Sequence, residues 1–393
     1  MNTKVITKKV AIIGAGPAGC TCAYFLSNDS EIIIFDYASP MRTILPTGGG
    51  RCNLTYGEFE PRELVKFYPR GEKFLLSVFT KFSPANTLEM FENIGIKTYM
   101  QEDFRFFPMS NNSKEVQEKF INALKHKVTF KKEKVLRIEP NEEYIKIITD
   151  YNSYLFDKVV FATGSNREVY EVLKRVGIKI ISPKPSLVGL VTKQNLSELA
   201  GIVVENVRIS ALGNEIVDSL LFTHKGISGP AVYKISSLNA RKTLPYDVYI
   251  DFLNKDLNLQ DLLNSNPHKE IKNLIAEILP KRLAKYLVRL SGVDVDLKCH
   301  KINSKMRDSL IEVITKFRLN IVGTNKDGET VTAGGVCLDT INSKTLESKQ
   351  IKNIYFCGEI LDIDGFCGGF NLQNCWSSGY LVAEAINKDS LVL

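Results

Sequence analysis

The sequence predicts an α/β protein whose first domain is interrupted by a β-rich insert and a small helical subdomain. A buried-strand run near the start of the chain, VAIIGAGPAG, breaks into closely spaced glycines. Short β-rich pieces separated by turns begin beyond residue 183, and helical periodicity follows them. Strand and glycine-rich turn patterns then return near the end of the chain, so the first domain is predicted to be discontinuous.

The run over residues 10–19 is typical of a Rossmann-like strand, turn and helix. Gly14 permits a tight turn, Gly16 lets the backbone approach a pyrophosphate, and Gly19 lets the helix pack on the strand. The phosphates would then lie on the helix N-terminus. A second apolar run ends in Asp36, where a carboxylate can accept hydrogen bonds from ribose hydroxyls. We therefore predict a dinucleotide cofactor, and the position of the motif favours FAD.

Composition places the chain among ordinary globular proteins. Its 393 residues are 44% hydrophobic and 24% charged, a length that predicts two or three domains. Because no apolar run approaches the roughly 20 residues of a spanning helix, we predict a cytoplasmic protein without a membrane partner. The eight cysteines contain no CxxC pair, so no metal site is predicted. The formal net charge is +7, but the lysines are scattered and no RNA-reading motif accompanies them, so nucleic acid is not the expected partner.

Several motifs in a fixed order identify a family resemblance. They include GAGPAG, TGGGRCNLT, LFTHKGISGP, TAGGV and GGFNLQNCWSSGY. In this order, and nearly end to end, the chain resembles the BaiN-like bacterial flavoproteins, which are also called aminoacetone-oxidase-like FAD-dependent oxidoreductases. The resemblance implies a glutathione-reductase-like FAD domain that is split by an inserted β-barrel and a helical piece.

The resemblance and the sequence texture together predict three parts. The FAD-binding domain is expected over 1–187 and 331–393. The inserted β-barrel domain is expected over 188–255 and 319–330, and the helical subdomain over 256–318.

The expected cofactor site draws on several separate segments. The glycines of TGGGRCN would let backbone amides approach the flavin or its phosphates, and the guanidinium of Arg51 suits oxygen ligands. The resemblance implies that Glu359 holds ribityl hydroxyls. The last helix would direct its N-terminal amides at flavin N1 and the C2 carbonyl. The candidate FAD-binding residues are Gly14, Gly16, Pro17, Ala18, Gly19, Asp36, Arg42, Thr47, Gly48, Gly49, Gly50, Arg51, Cys52, Asn53, Val135, Ala162, Thr163, Gly164, Gly358, Glu359, Gly369, Phe370, Asn371, Leu372 and Gln373.

Some positions depart from the family pattern. Arg42 stands alone where the family often has Gly-Arg-Lys, so one basic contact is missing. Ser165 and a short helix-like segment replace the glycine-rich loop that commonly follows the family's ATG. Phe104 stands where a glycine often precedes the arginine, so we expect a narrower pocket edge near Arg105. Cys52 could form a flavin adduct, but a lone cysteine is more typical of packing.

The one catalytic candidate is His224 in LFTHKGISGP, which could donate a proton over the flavin. The alternative is a histidine that bonds to its loop backbone. Arg105 and Tyr233 are weaker candidates that could equally be surface or interdomain residues.

The resulting functional prediction is an FAD-dependent oxidoreductase that transfers hydride with NAD(P)H or a small organic substrate. Family members are linked to reduction of a steroid-acid double bond and to oxidation of small aminoketones, so the substrate stays open. Because no second GxGxxG is present, NADH or NADPH is expected only as a transient reductant. Two alternatives remain: a flavin-assisted RNA-modifying protein, and a non-catalytic flavin sensor or scaffold.

Overall fold

The computed structural model describes residues 8–254, 258–325 and 331–389. The chain forms two compact units, Met1–Pro183 with Val331–Leu393, and Lys184–Thr330. The first segment of the first unit ends at Pro183, a few residues before the predicted boundary at 187.

The strands are β1 Lys8–Ile13, β2 Ser30–Phe35, β3 Thr55–Tyr56, β4 Thr98–Met100, β5 Arg105–Pro108, β6 Val128–Lys131, β7 Val135–Pro140, β8 Ile145–Thr149, β9 Ser153–Phe156, β10 Lys158–Phe161, β11 Ile180–Ser186, β12 Leu190–Thr192, β13 Val203–Ala211, β14 Asn214–Thr223, β15 Gly226–Ser228, β16 Tyr246–Asp251, β17 Phe317–Thr324, β18 Val331–Val336 and β19 Ile354–Phe356. The helices are α1 Pro17–Phe25, α2 Pro61–Leu64, α3 Glu72–Lys81, α4 Pro84–Asn93, α5 Ser113–Leu124, α6 Arg167–Arg175, α7 Pro230–Leu238, α8 Leu259–Ser265, α9 Ile271–Ile275, α10 Lys281–Leu290, α11 Ser304–Thr315 and α12 Phe370–Lys388.

The first unit is built on a parallel sheet in the order β19-β10-β1-β2-β6. The sheet's central strand β1 is apolar along most of its length, which suits a strand covered on both faces. Helix α12 crosses α1 closely, because a Cβ at Gly379 would lie 2.5 Å from the carbonyl oxygen of Ala18. The strand β19 and helix α12 come from the returning chain, so both segments are needed to complete the sheet and its cover.

The first unit also contains two antiparallel sheets, in the orders β3-β5-β4 and β7-β8-β9. The strands β11 and β18 pair where the chain leaves and re-enters this unit. Across the described residues, no helix combines the length and the hydropathy that a membrane crossing requires.

The second unit contains a closed six-stranded barrel in the order β12-β15-β14-β13-β16-β17. Its inward residues, such as Ile209 and Leu319, share one apolar core with the helices that follow. Helix α10 contributes Leu283 and Leu287 to that core. The predicted α/β fold class with an inserted β-barrel is therefore confirmed, while the helical segment packs as part of the barrel unit.

Candidate functional site

The glycines in the turn between β1 and α1 differ in how closely other atoms surround them. Gly14 has φ +105°, and a Cβ there would lie 2.5 Å from the carbonyl oxygen of Ala162. A Cβ at Gly19 would collide with the carbonyl oxygen of Gly14. Among the described residues, the nearest atoms to a Cβ at Gly16 would be Thr43 Oγ1, at 3.8 Å, and the carbonyl oxygen of Ala162, at 4.0 Å. Gly14 and Gly19 are thus required by the fold, whereas a Cβ at Gly16 would make only ordinary van der Waals contacts.

The carboxylate of Asp36 is held beside this turn. Its Oδ2 accepts a hydrogen bond from the backbone N–H of Ala15 at 2.7 Å, and its Oδ1 accepts one from Ala38 at 2.9 Å. Met41 donates its N–H to the carbonyl oxygen of Ala15 at 2.8 Å, which brings the exposed Arg42 to the same place. The carboxylate retains further lone pairs, so ribose hydroxyls could still bond to it.

The ATG turn and Glu359 meet at the carboxyl ends of β10 and β19. Gly164 has φ +58°, and a Cβ there would lie 3.7 Å from Glu359 Oε2. Glu359 Oε1 accepts the backbone N–H of Thr332 at 2.9 Å, which orients the carboxylate. Gly358 has φ +77° and approaches Ala18 of α1. These contacts place Glu359 close to the predicted phosphate turn, at the sheet edge where open α/β folds bind ligands.

The tip of the TGGGRCN loop consists of three consecutive glycines, so it presents backbone atoms and no side chains. Gly48, Gly49 and Gly50 all have positive φ. A Cβ at either of the last two would meet no heavy atom of the described residues within 4 Å. The Arg51 guanidinium lies 4.2 Å from the centroid of Phe107, and its Nε donates to the carbonyl oxygen of Gly48 at 3.1 Å. The ring holds the guanidinium in place, which suits recognition of an oxygen ligand.

Cys52, in the same loop, is not a reactive thiolate. Its side chain is fully buried, and burial raises the pKa of the thiol to about 12. Its backbone N–H donates to the carbonyl oxygen of Thr47 at 2.9 Å. A protonated, buried thiol favours the packing interpretation over a flavin adduct.

The N-terminus of α12 adjoins this loop. A Cβ at Gly369 would lie 2.9 Å from Asn53 Oδ1, which shows how closely the two segments meet.

Gln373 Oε1 accepts hydrogen bonds from the hydroxyls of Thr55 at 2.5 Å and Thr87 at 3.0 Å. Asn371 accepts the N–H of Gly365 at 2.8 Å and donates to its carbonyl oxygen at 2.9 Å. The first turn of α12 carries no acidic residue, so its amides keep their attraction for negative charge.

Buried polar atoms without partners test whether a cofactor fits here. Among the described residues, those atoms are Asn53 Oδ1, Thr163 Oγ1, Tyr170 Oη and Asn374 Oδ1. Each belongs to a segment of the candidate site or to the helix directly after one. An unpaired buried polar group costs about 1–3 kcal/mol, so a ligand with many hydrogen-bonding atoms fits these residues.

Tyr170 and Asn374 were not predicted from the sequence. Tyr170 lies on α6, the helical segment that stands in place of the family's glycine-rich loop. Burial, followed by the charges of Glu359 and Asp362, raises the pKa of its hydroxyl, which therefore stays protonated. Asn374 follows directly after the predicted run in α12, so extending that run by one residue would have included it.

The remaining predicted residues have simpler positions. Val135 opens β7, four residues beyond Lys131, whose carbonyl oxygen accepts the N–H of Asp36 at 3.1 Å. Leu372 is half-buried on α12. His224 lies exposed in the turn between β14 and β15 of the second unit, and its role stays a prediction.

Two further polar residues have structural partners. Asp364 is buried and forms an ion pair with Arg70. Tyr233 Oη accepts a hydrogen bond from the hydroxyl of Ser228 at 3.0 Å.

Fold and site together define a Rossmann-type FAD-dependent oxidoreductase. The structure of the E. coli quinol fumarate reductase FrdA has a similar fold, with a TM-score of 0.53 and 13% identity, covering 98% of this chain and 70% of that one. The sequence matches the family model described as the HI0933-like protein Rossmann domain over residues 8–385. The chain belongs to this HI0933-like family.

Full-length relatives have two different names. A ribosomal RNA dihydrouridine synthase of Escherichia coli K12 is 30% identical, covering 95% of this chain and 96% of the relative. A protein of the same name from Haemophilus influenzae is 31% identical, covering 96% and 98%. A 3-dehydro-bile acid delta(4,6)-reductase of Clostridium scindens is 28% identical, covering 96% and 98%. The predicted family resemblance and enzyme class are confirmed.

Proposed function

We propose that this chain is a flavin-dependent reductase that saturates the C5–C6 double bond of uridine in ribosomal RNA. The observation that carries the proposal is the end-to-end similarity to two relatives named ribosomal RNA dihydrouridine synthase. The sequence alone favoured a small substrate over RNA, and these names favour the RNA alternative. The excess of 51 Lys and Arg over 44 Asp and Glu is compatible with a polyanionic substrate.

The proposed reaction consumes one NAD(P)H, one proton and one uridine, and yields NAD(P)⁺ and dihydrouridine. Hydride adds to one carbon of the double bond and a proton to its neighbour, so atoms and electrons balance. FAD would supply the two-electron carrier between the nicotinamide and the base.

The chain's own residues would bind and polarise this carrier. Gly16 leaves room for a pyrophosphate, and Asp36 and Glu359 offer carboxylates to sugar hydroxyls. The amides at the start of α12 would stabilise negative charge on the reduced ring, which raises its reduction potential without a charged side chain.

A second candidate substrate is a small conjugated ketone. The relative named as a 3-dehydro-bile acid reductase favours it, at 28% identity over nearly the whole chain. Both candidate substrates contain a carbon–carbon double bond next to a carbonyl group. They differ in the size and charge of the molecule that contains this bond.

The test is an anaerobic reaction of the purified flavin-loaded protein. NADH and NADPH are mixed in separately while flavin absorbance is followed, and ribosomal RNA without dihydrouridine or a steroid 4-ene-3-ketone is then added. We expect RNA to restore the oxidised flavin spectrum and to gain dihydrouridine on nucleoside mass spectrometry. Reduction of the ketone without any dihydrouridine would support the second candidate instead. If the nicotinamide-reduced protein reoxidises with neither substrate, both candidates are rejected.

A further inference from the structure

A series of aromatic rings leads from the buried start of α12 to the surface of the first unit. Phe370 stacks on Phe67 with ring centroids 4.5 Å apart and planes at 12°. Tyr56 follows, 4.7 Å from Phe370, and Phe104 lies 6.2 Å beyond Tyr56. Phe370 is only 2% exposed, whereas Phe104 is 52% exposed. The series therefore connects the proposed flavin helix to a ring open to solvent.

The outer ring is held by a backbone conformation that phenylalanine rarely adopts. Phe104 has φ +63°, in the left-handed region. Its N–H donates to the carbonyl oxygen of Gln101 at 3.0 Å, and its own carbonyl oxygen accepts the N–H of Gly57 at 2.7 Å. Glycine would adopt this turn without strain. An exposed aromatic ring retained at a strained position is a pattern that occurs at binding and catalytic sites.

The second ring is fixed from the opposite side. Tyr56 ends β3, where it pairs with Arg105 of β5. The adjacent Thr55 donates its hydroxyl to Gln373 of α12 at 2.5 Å, so the short strand is tied to the helix. Tyr56 is half-buried, which leaves part of its ring accessible next to Phe104.

The charged groups beside these rings include two carboxylates and one guanidinium. The guanidinium of Arg105 pairs with Asp103 at 2.5 Å, and Glu58 lies two residues beyond Tyr56. Such a rim gives no excess of positive charge for a phosphate. Its main attraction is for an uncharged planar ring, because every nucleobase presents a π face that stacks on aromatic side chains.

We infer that the exposed ring of Phe104, with Tyr56 beside it at an interplanar angle of 55°, forms a stacking platform that receives an unpaired uracil base of the RNA substrate. The inference rests on the proposed function and adds how the base is recognised. A base inside a duplex cannot reach an enzyme site, so the target uridine must be unstacked and then stack on protein rings. Uracil is planar, whereas dihydrouridine has a saturated C5–C6 bond and a puckered ring. The platform would therefore hold the substrate base more tightly than the product base.

The test measures binding to the oxidised, flavin-loaded protein by fluorescence anisotropy, without turnover. The probes are a short single-stranded RNA with one central uridine, and the same RNA with dihydrouridine at that position. Phe104→Gly removes the ring and suits the backbone, so we expect unchanged or higher thermal stability. Uridine RNA should bind this variant at least about fivefold more weakly. The matched control is Phe59→Ala, because Phe59 is 47% exposed and lies against Phe106, outside the series.

If the platform binds uracil, Phe104→Gly should weaken the binding of the uridine RNA and remove its preference over the dihydrouridine RNA. Phe59→Ala should change neither the affinity nor the preference. Equal binding by both variants and the unaltered protein would overturn it. Because no turnover is involved, a protein that forms no dihydrouridine in the activity test can still pass or fail here.

Discussion

At the scale of single residues, the glycines of the β1–α1 turn serve two purposes: some are required by backbone packing, and one is expected to make room for the cofactor. Gly14 and Gly19 are close to other backbone atoms, so their side chains are excluded by the fold itself. Gly16 has φ −76°, which other residues adopt readily, and a Cβ there would lie 3.8 Å from Thr43 Oγ1, an ordinary contact. No close contact within the described part of the chain requires glycine at this position, which is the expectation if the space belongs to a pyrophosphate.

Gly16→Val therefore tests the cofactor site directly. We expect a folded protein with little bound flavin, because the valine side chain would occupy the proposed phosphate space while its Cβ makes only ordinary van der Waals contacts with Thr43 and Ala162. The flavin-to-protein absorbance ratio and the far-UV circular dichroism measure the two properties. Gly14→Val is the contrast, since its Cβ would lie 2.5 Å from the carbonyl oxygen of Ala162 and should reduce the yield of folded protein. Full flavin occupancy in Gly16→Val would refute the proposed phosphate position.

The residues that the sequence did not predict depend on three-dimensional burial. Tyr170 looks like one apolar position of an amphipathic helix, and only the structure shows its hydroxyl without a partner. The ion pair of Arg70 with Asp364 joins residues 294 positions apart, which no local pattern reveals. The glycine turn and ATG were predictable because their chemistry requires short, local spacing.

At the scale of elements, α12 is held in position by several buried side-chain hydrogen bonds. Trp376 donates its Nε1–H to the carbonyl oxygen of Leu54 at 2.8 Å, and Gln373 binds the hydroxyls of Thr55 and Thr87. These bonds are buried, so they hold the helix against β3 and α4 without competition from water. The helix N-terminus can therefore act as a fixed dipole.

Asn371→Asp tests that dipole. The aspartate keeps the acceptor for the N–H of Gly365 and adds a negative charge at the helix start. Negative charge there disfavours the reduced, anionic flavin, so we expect the midpoint potential to fall by roughly 10–20 mV, the two-electron equivalent of about 0.5–1 kcal/mol. Spectroelectrochemical titration of the bound flavin measures this shift.

The matched control is Asn387→Asp near the other end of α12. Asn387 also bridges backbone groups, accepting from Ser27 at 2.8 Å and donating to the carbonyl oxygen of Phe25 at 2.9 Å. The same chemical change far from the helix N-terminus should leave the potential unaltered. Equal potentials in the two variants would remove α12 from the electrostatic argument.

For the whole molecule, the sequence predicted the interruption and return of the first domain correctly because each segment carries its own periodicity. The apolar strands β1 and β10 and the barrel strands have recognisable patterns. The sequence did not reveal that the barrel and the helices after it share one core, since long-range packing between them leaves no local signal. It also left open the strand order of the parallel sheet.

A discontinuous unit needs contacts that join its two chain segments, and Asp389 provides one. At the end of α12 it pairs with Lys158 of β10 at 2.5 Å and with Lys8 of β1 at 3.5 Å. Both lysine side chains are less than 10% exposed. The hydrogen bond from Lys158 is the main cause that lowers the pKa of Asp389. Removing the carboxylate leaves two buried ammonium groups close together without the counter-charge that they share.

We expect Asp389→Asn to lower the free energy of unfolding by about 1–2 kcal/mol at neutral pH, a value discounted because Asp389 is itself half exposed. The pKa of Asp389 is lower in the folded than in the unfolded protein. Its contribution is therefore complete above the unfolded value, about 3.9, and disappears as pH falls through the folded value. Urea unfolding at neutral pH and below pH ~4 should show the difference from the unaltered protein shrinking in acid. Glu384→Gln, which removes the ion pair with the exposed Lys388 on the same helix, is the control and should change stability by less than about 0.5 kcal/mol. A difference that persists undiminished in acid would mean that the asparagine acts through packing rather than charge.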